Sequence, residues 1–232
     1  MMKLKEWQEK KIQAVLNVFE GSDPNEMKYD GVYIFPDGLR KRRQVTLGIG
    51  FTEDSWAGGG SLGAMLDIYV KSRGKYAGQF APYLKRIGTG ILHKDEVFKT
   101  LLKTAAQNDL LFCECQDHTY KALYVYPARY IADELELTLA LSVLVVQDSI
   151  LHGSFDTVRG LFREVPPVRG GDEKAWVKAY CTARRTWWMA HPKNPWRGQE
   201  GKATYRMDCF LDAINRGNWD LNLPINTNGV KI

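Results

Sequence analysis

The sequence predicts an α+β, mostly α protein: a small hairpin sheet near the N-terminus set among many helices, folded as one domain over residues 1–232. Three observations carry this. The 232 residues, 44% hydrophobic and 25% charged, are enough for one sizeable core and too ordinary in composition for a disordered chain or a mini-scaffold. The hydrophobic period changes from about 3.6 to about 2 only between Tyr29 and Phe51. After Gly58-Gly59-Gly60 every apolar segment returns to helical spacing. A sheet embedded in helices points to two lobes with a cleft between them, and such junctions are the default place for a ligand.

In the first segment Ile12, Val15, Leu16 and Phe19 fall at i, i+3, i+4 and i+7, which predicts an amphipathic helix over residues 5–19 with Glu20 at its end. Gly21-Ser22-Asp23-Pro24 breaks it. Strands are expected at residues 32–35 and 44–51, with Pro36-Asp37-Gly38 as the turn, and no other convincing sheet is legible. Helices are then expected at residues 61–72, 76–85, 94–107, 109–125, 127–134, 137–151, 155–162, 172–189 and 204–216. Pro127 suits a first turn, Asp172 a helix N-terminus and Gly217 a helix stop.

The most apolar stretch, residues 137–146, falls well short of the roughly 20 residues that span a bilayer and reads as a buried core helix. The start, Met1-Met2-Lys3-Leu4-Lys5-Glu6, carries charge where an export signal needs an apolar run, so synthesis in the cytoplasm and release by a non-classical route are expected. Cys113, Cys115, Cys181 and Cys209 show no paired spacing and are expected to be reduced packing residues. His93, His118, His152 and His191 lack metal-ligand spacing, and no metal site is expected.

The pattern with chemical content is a carboxylate ending the first helix, a second in the hairpin and a Thr a few residues on: Glu20, Asp37 and Thr46. Glycoside hydrolysis needs such a set, one carboxylic acid to protonate the leaving oxygen and one carboxylate on the opposite face of the sugar to activate water or attack. Partial shielding at a helix end favours the protonated form, whereas a solvated turn favours the ionised one. The Thr hydroxyl can hold water, and Gly48 and Gly50 let backbone approach substrate. Alone the pattern is weak, because a Glu at a helix end and an Asp-Gly turn are common.

Further motifs sharpen it. Thr46-Leu47-Gly48-Ile49-Gly50 resembles the strand of phage-type lysozymes, and the longer layout is similar to the family 46 glycoside hydrolases, the chitosanases, which share the lysozyme-like two-lobed fold. Gln147-Asp148-Ser149-Ile150-Leu151-His152-Gly153 resembles that family's Asp-containing helix ending in His-Gly. Gly170-Gly171-Asp172-Glu173 resembles its helix start, Ala183-Arg184 follows as in the family, and Gly217-Asn218-Trp219-Asp220-Leu221-Asn222-Leu223-Pro224 resembles its closing segment. The resemblance implies an endo-acting, inverting hydrolase without a cofactor, with Glu20 as general acid, Asp37 as general base and Thr46 positioning water. Asp148, Arg184 and, with a one-residue shift, Arg206 would match the buried charge network that holds the acid. Arg40, Gly48, Gly50 and His152 would contact substrate, and His152 would also orient a loop near Asp148.

Departures from the family bear on substrate. Leu39-Arg40-Lys41-Arg42-Arg43-Gln44 lengthens the hairpin, which leaves Asp30 as an alternative base. Ala64 precedes Met65-Leu66 where chitosanases carry the acidic reader of the free amine, and residues 187–197 are aromatic and basic. With a net charge of +5 these suit a neutral or anionic glycan, so peptidoglycan is expected over chitosan, and a phage endolysin or an antibacterial effector would fit. The expected partner is thus a polysaccharide, with no nucleic acid and no membrane insertion, and the chain is expected to be a monomer. Arg40-Lys41-Arg42-Arg43 reads either as a solvated hairpin tip or as a dock for phosphate polymers or an anionic envelope. Trp56, Trp187, Trp188 and Trp196 could stack on sugar rings, but adjacent Trp187 and Trp188 cannot share a helix face, so at least one belongs to the core. The rival of another class is a binding module that keeps the fold without activity.

Overall fold

A computed structural model describes residues 3–21, 23–37, 42–48, 50–53, 60–192, 194 and 197–232, without the side chains of Asp37 and Arg42. Arg40, Trp56 and Trp196 lie outside the described residues. The chain divides into two compact units, one of residues 1–25 and 123–232 and the other of residues 26–122.

The first unit contains α1 (Glu6–Phe19), α6 (Tyr126–Glu134), α7 (Ala140–Leu151), α8 (Phe155–Val158), α9 (Glu173–Ala190) and α10 (Tyr205–Asn215), followed by the strands β4 (Asn226–Thr227) and β5 (Val230–Lys231). At its centre α7 is buried on every side from Ala140 to Ser149, as a helix that is apolar all round must be. Ile12, Val15, Leu16 and Phe19 of α1 join Val143, Leu144, Trp176, Tyr180 and Phe210 in one core. Gly21, at φ +77°, takes the left-handed conformation that stops α1 and leaves Glu20 as its C-cap.

α7 starts three residues later than its apolar pattern, because Leu139 is extended and both Thr138 and Leu139 bond to another helix. Glu173 at the start of α9 accepts the Thr138 and Leu139 backbone N–H groups at 2.9 Å, the Thr138 hydroxyl at 2.8 Å and the Ser142 hydroxyl at 2.6 Å. One carboxylate thus fills orphan donors at the positive end of α7 while Asp172 caps α9 through Ala175 at 2.8 Å. Glu173→Ala is expected to lower stability by about 2 kcal/mol. A urea midpoint unchanged from the parent would refute that role.

The second unit holds the sheet β1 (Val32–Asp37), β2 (Arg42–Leu47) and β3 (Phe51–Thr52), together with α2 (Ser61–Lys71), α3 (Ala77–Phe80), α4 (Glu96–Asn108) and α5 (Leu110–Tyr120). α5 continues through a π-helical stretch, Lys121–Val125, into α6. The strands pair antiparallel in the order β1-β2-β3, with Tyr33 opposite Thr46 and Thr46 opposite Thr52. Val45, Leu47 and Phe51 are fully buried. The aromatic core places the Tyr69 ring edge-on to Phe112 at 4.9 Å, and Phe80 stacks on Phe112 at 5.5 Å.

Five expectations are corrected. Pro36 and Asp37 are not turn residues: in β1 they pair with Arg43 and Arg42 of β2. Pro36 is tolerated because β1 is an edge strand. The stretch 44–51 is two strands, since positive φ at Gly48 and Gly50 folds β3 back on β2. The helix expected over 155–162 ends at Val158, and that expected over 76–85 is a short α3 followed by a 3-10 turn, Ala81–Tyr83, around Pro82. A second sheet, β4 with β5, was not anticipated. Its signal was Asn228-Gly229, both at positive φ, between two-residue strands.

Cys115, Cys181 and Cys209 are buried, Cys113 is partly so, and all four are free. Burial pushes the Cys181 and Cys209 thiols up to about 12. Among the described residues no helix is long and apolar enough to cross a membrane.

Candidate active site

The site is built in the first unit on three helix ends. Glu20 caps the end of α1, α7 carries Asp148 one turn before its end, and α10 begins with Tyr205 and Arg206. Arg184 comes from the middle of α9. Arg206 Nη2 donates to Glu20 Oε1 at 2.7 Å and to the Phe19 carbonyl at 3.1 Å, while its Nη1 donates to Asp148 Oδ1 at 2.8 Å. Arg184 Nη1 donates to the other carboxylate oxygen, Asp148 Oδ2, at 2.5 Å, and its Nε donates to Ser154 Oγ at 2.9 Å. Two anions and two cations close into one neutral chain, Glu20, Arg206, Asp148, Arg184. That neutrality permits the burial, because an unpaired charge in the same place would cost several kcal/mol.

Exposure separates the members by task. Asp148 and Arg184 side chains are 0% and 2% exposed, Arg206 10% and Glu20 21%. Glu20 therefore meets solvent while the others hold it. Its Oε1 is taken by Arg206, and its Oε2 accepts no hydrogen bond from the described residues. Burial pushes the Asp148 carboxyl up, but the two guanidiniums outweigh it and hold the group below the usual carboxylate range. Glu20 and Asp148 in turn keep Arg206 charged against the effect of its burial.

His152 caps the end of α7, half-buried, with its ring edge-on to Trp188 at 4.6 Å. Trp188 stacks on His191, and Trp187 packs against the core. Burial first, then the positive charges of Arg206 and Arg184, push the His152 imidazole down to about 3. This gives a pH dependence with a definite sign. An unfolded His takes a proton near pH 6.5, whereas the folded ring stays neutral, so stability falls as pH drops below about 6.5. The Asp148 contribution survives to lower pH, being lost only as pH falls through its depressed folded value. Between pH 7 and 4.5 the parent is expected to lose about 2 kcal/mol more than His152→Gln in urea melts. Equal losses in the two proteins would refute it.

Asp37, Thr46, Gly48 and Gly50 belong to the second unit. Asp37 closes β1, not a turn, and its side chain lies outside the described residues. Thr46 is 8% exposed on the middle strand. Gly48 does not present backbone to a ligand: it is buried, and a Cβ there would stand 2.7 Å from Gln116 Oε1. Gly50, at φ +97°, has open space where its Cβ would be. Asp30, the alternative base, accepts from Gln107 Nε2 at 2.8 Å. Ala64 is exposed on α2.

Sequence reasoning missed Tyr205, Ser154 and Glu53. Ser154 Oγ is the acceptor for Arg184, and no local pattern announces it. Glu53, 2% exposed, accepts from the Val45 N–H at 2.7 Å and the Gly88 N–H at 3.3 Å, bracing β2. A surface groove of about 850 Å³ along α9, lined by Leu161, Phe162, Lys178, Thr182, Trp187 and His191 among others, contains none of the four charged residues.

A Glu held by a buried ion-pair chain on a mostly helical fold with a small antiparallel sheet is joined by a family profile that shows the class, a glycoside hydrolase. The profile of glycosyl hydrolase family 46 matches residues 22–225, and the chain belongs to that family. Its fold is that of the family 46 chitosanases and is lysozyme-like. The Gynuella sunshinyii family 46 chitosanase in complex with chitotetraose superposes with a TM-score of 0.79 at 24% identity, over 99% of this chain and 98% of that one. Native chitosanase from Bacillus subtilis gives 0.79 at 23% identity, over 99% and 100%. A mutant of the Bacillus subtilis enzyme complexed with 6 GlcN gives 0.76 at 24%, again over 99% and 100%. Among curated protein sequences none matches this chain significantly.

Proposed function

We propose that this chain is an endo-acting, inverting hydrolase of β-1,4-linked aminosugar polymers and that chitosan is its substrate. Glu20 is the general acid: its Oε2, on a part-exposed side chain and without a partner among the described residues, carries the proton to the glycosidic oxygen while Arg206 fixes the rest of the carboxyl. Asp37 is the base that activates water on the opposite face of the sugar, and Thr46 helps hold that water. The single observation that carries this reading is the Glu20 carboxyl, part-exposed on one side and clamped on the other by a neutral ion-pair chain.

Chitosan replaces the peptidoglycan expected from the sequence. Two similar structures are chitosanases holding chitotetraose and 6 GlcN, which supports a substrate of that kind. The charge argument against chitosan also weakens at α2. Ala64 lacks a carboxylate, but Asp67 lies one turn on, on the same side of the helix, with its side chain 44% exposed and its charge shared with Lys71 at 2.5 Å. Peptidoglycan stays the second reading because Ala64 and the +5 balance suit a less cationic glycan.

Purified chitosan and purified peptidoglycan, incubated in parallel with the protein, separate the two by mass analysis of soluble products. Glucosamine oligomers with a newly formed α-anomer support the proposal in full. Muropeptides with new reducing ends, and none from chitosan, support the second reading. Binding without product from either polymer would leave a glycan-binding module and overturn both.

A further inference from the structure

We propose that Tyr205 is a positioning residue for the acid, acting through Arg206 and through the backbone that ends α1. This rests on the reading of Glu20 as the acid and extends it to a side chain outside the ion-pair chain.

Arg206 is gripped through Nη1 by Asp148 and through Nη2 by Glu20 and the Phe19 carbonyl. The third edge is Nε, and its partner is the Tyr205 hydroxyl at 3.1 Å. The same hydroxyl donates to the Phe19 carbonyl at 3.3 Å, so one oxygen accepts from Arg206 and donates to the last turn of α1. Phe19 immediately precedes Glu20, and its carbonyl is among those left unpaired at a helix end. α1 has no basic residue in its last turn to satisfy them. Tyr205 and Arg206 together do so from another helix.

The aromatic ring reinforces the grip. It meets the Phe19 ring edge-on at 5.6 Å, and the Arg206 guanidinium lies 5.0 Å from the Phe19 ring centre and 5.7 Å from that of Tyr205. Ring packing holds the helix end, and the hydroxyl sets the plane of the guanidinium. The two tasks are separable, because Tyr205→Phe removes only the second. In that variant the Phe19 carbonyl keeps Arg206 Nη2 as a donor, whereas Arg206 Nε loses its acceptor in a site with little water.

The test is Tyr205→Phe, read two ways. On the proposed substrate, kcat is expected to fall about tenfold while KM stays within twofold, because a misaligned acid slows the chemical step and leaves sugar binding intact. By NMR, the Nε–H of Arg206 is expected to exchange with solvent at least about tenfold faster than in the parent, a change that general loosening of the fold would not confine to this one group. Unchanged Nε–H exchange, or unchanged kcat in the presence of polymer turnover, overturns the proposal. A Tyr205→Phe protein that does not fold also overturns it, since the hydroxyl would then serve the fold as a whole. If the parent cleaves no polymer, the hydrolase reading fails by itself and the exchange measurement alone decides the clamp.

Discussion

Glu20→Gln is expected to leave the protein folded and to lower turnover of its polymer about 10³-fold, within the range ascribed to a positioned general acid. That is roughly 4 kcal/mol of transition-state stabilisation. The amide is nearly the same shape, and its oxygen can still accept from Arg206 Nη2, so the contact at 2.7 Å survives in weaker form. What disappears is the transferable proton. Arg206 keeps its ion pair with Asp148, and since Glu20 reaches solvent the expected stability change is only about 1 kcal/mol. Turnover, KM and thermal midpoint should be measured on one preparation. Turnover within tenfold of the parent would remove Glu20 from the chemistry.

Asp148→Asn is expected to behave in the opposite way, with its first effect on the fold. Asp148 is wholly buried and, among the described residues, is the one anion shared by both guanidiniums. Removing its charge leaves two cations against one partly exposed carboxylate, an uncompensated positive charge in the core of the first unit. Breaking such a buried arrangement costs about 3–5 kcal/mol. For a chain of this length that lowers the thermal midpoint by about 10 °C. A midpoint within about 2 °C of the parent would mean that the four groups are independently solvated and that no network exists. Activity should also drop, because Arg206 loses the partner that fixes its position beside Glu20.

The two variants also show which parts of the molecule a sequence can disclose. α1 was legible because its apolar residues repeat at helical spacing and Gly21 marks its stop, so Glu20 was placed on the correct helix end. α7 was legible as a buried helix from its apolar run over residues 137–146, whereas Asp148 was reached only through the resemblance of residues 147–153 to a family motif. Arg206 aligned only with a shift, and geometry resolved it by bringing its three donor nitrogens to four acceptors on three other residues and on Tyr205. The hairpin was misread at its tip because Pro-Asp-Gly is a strong local turn signal, whereas pairing with Arg42 and Arg43 is decided across strands. Gly48 was read as making room for substrate, and it makes room for Gln116, which is 68 residues away in the sequence and invisible to any local pattern. Substrate preference was the hardest to read, since it was judged from net charge and one missing carboxylate and not from where the remaining charges lie.

The clamp on Glu20 also constrains the order in which the molecule can mature. The acid leaves the ribosome 186 positions ahead of Arg206, which holds it. The whole second unit, residues 26–122, is made between them. During synthesis that inserted unit can fold on its own contacts while α1 waits without a partner for its carbonyls or its carboxylate. Closing so long a loop comes late and slowly. A nascent chain stalled before residue 206 would carry the acid but no means of aiming it, so catalytic competence should arrive in a single late step once α10 is free to dock.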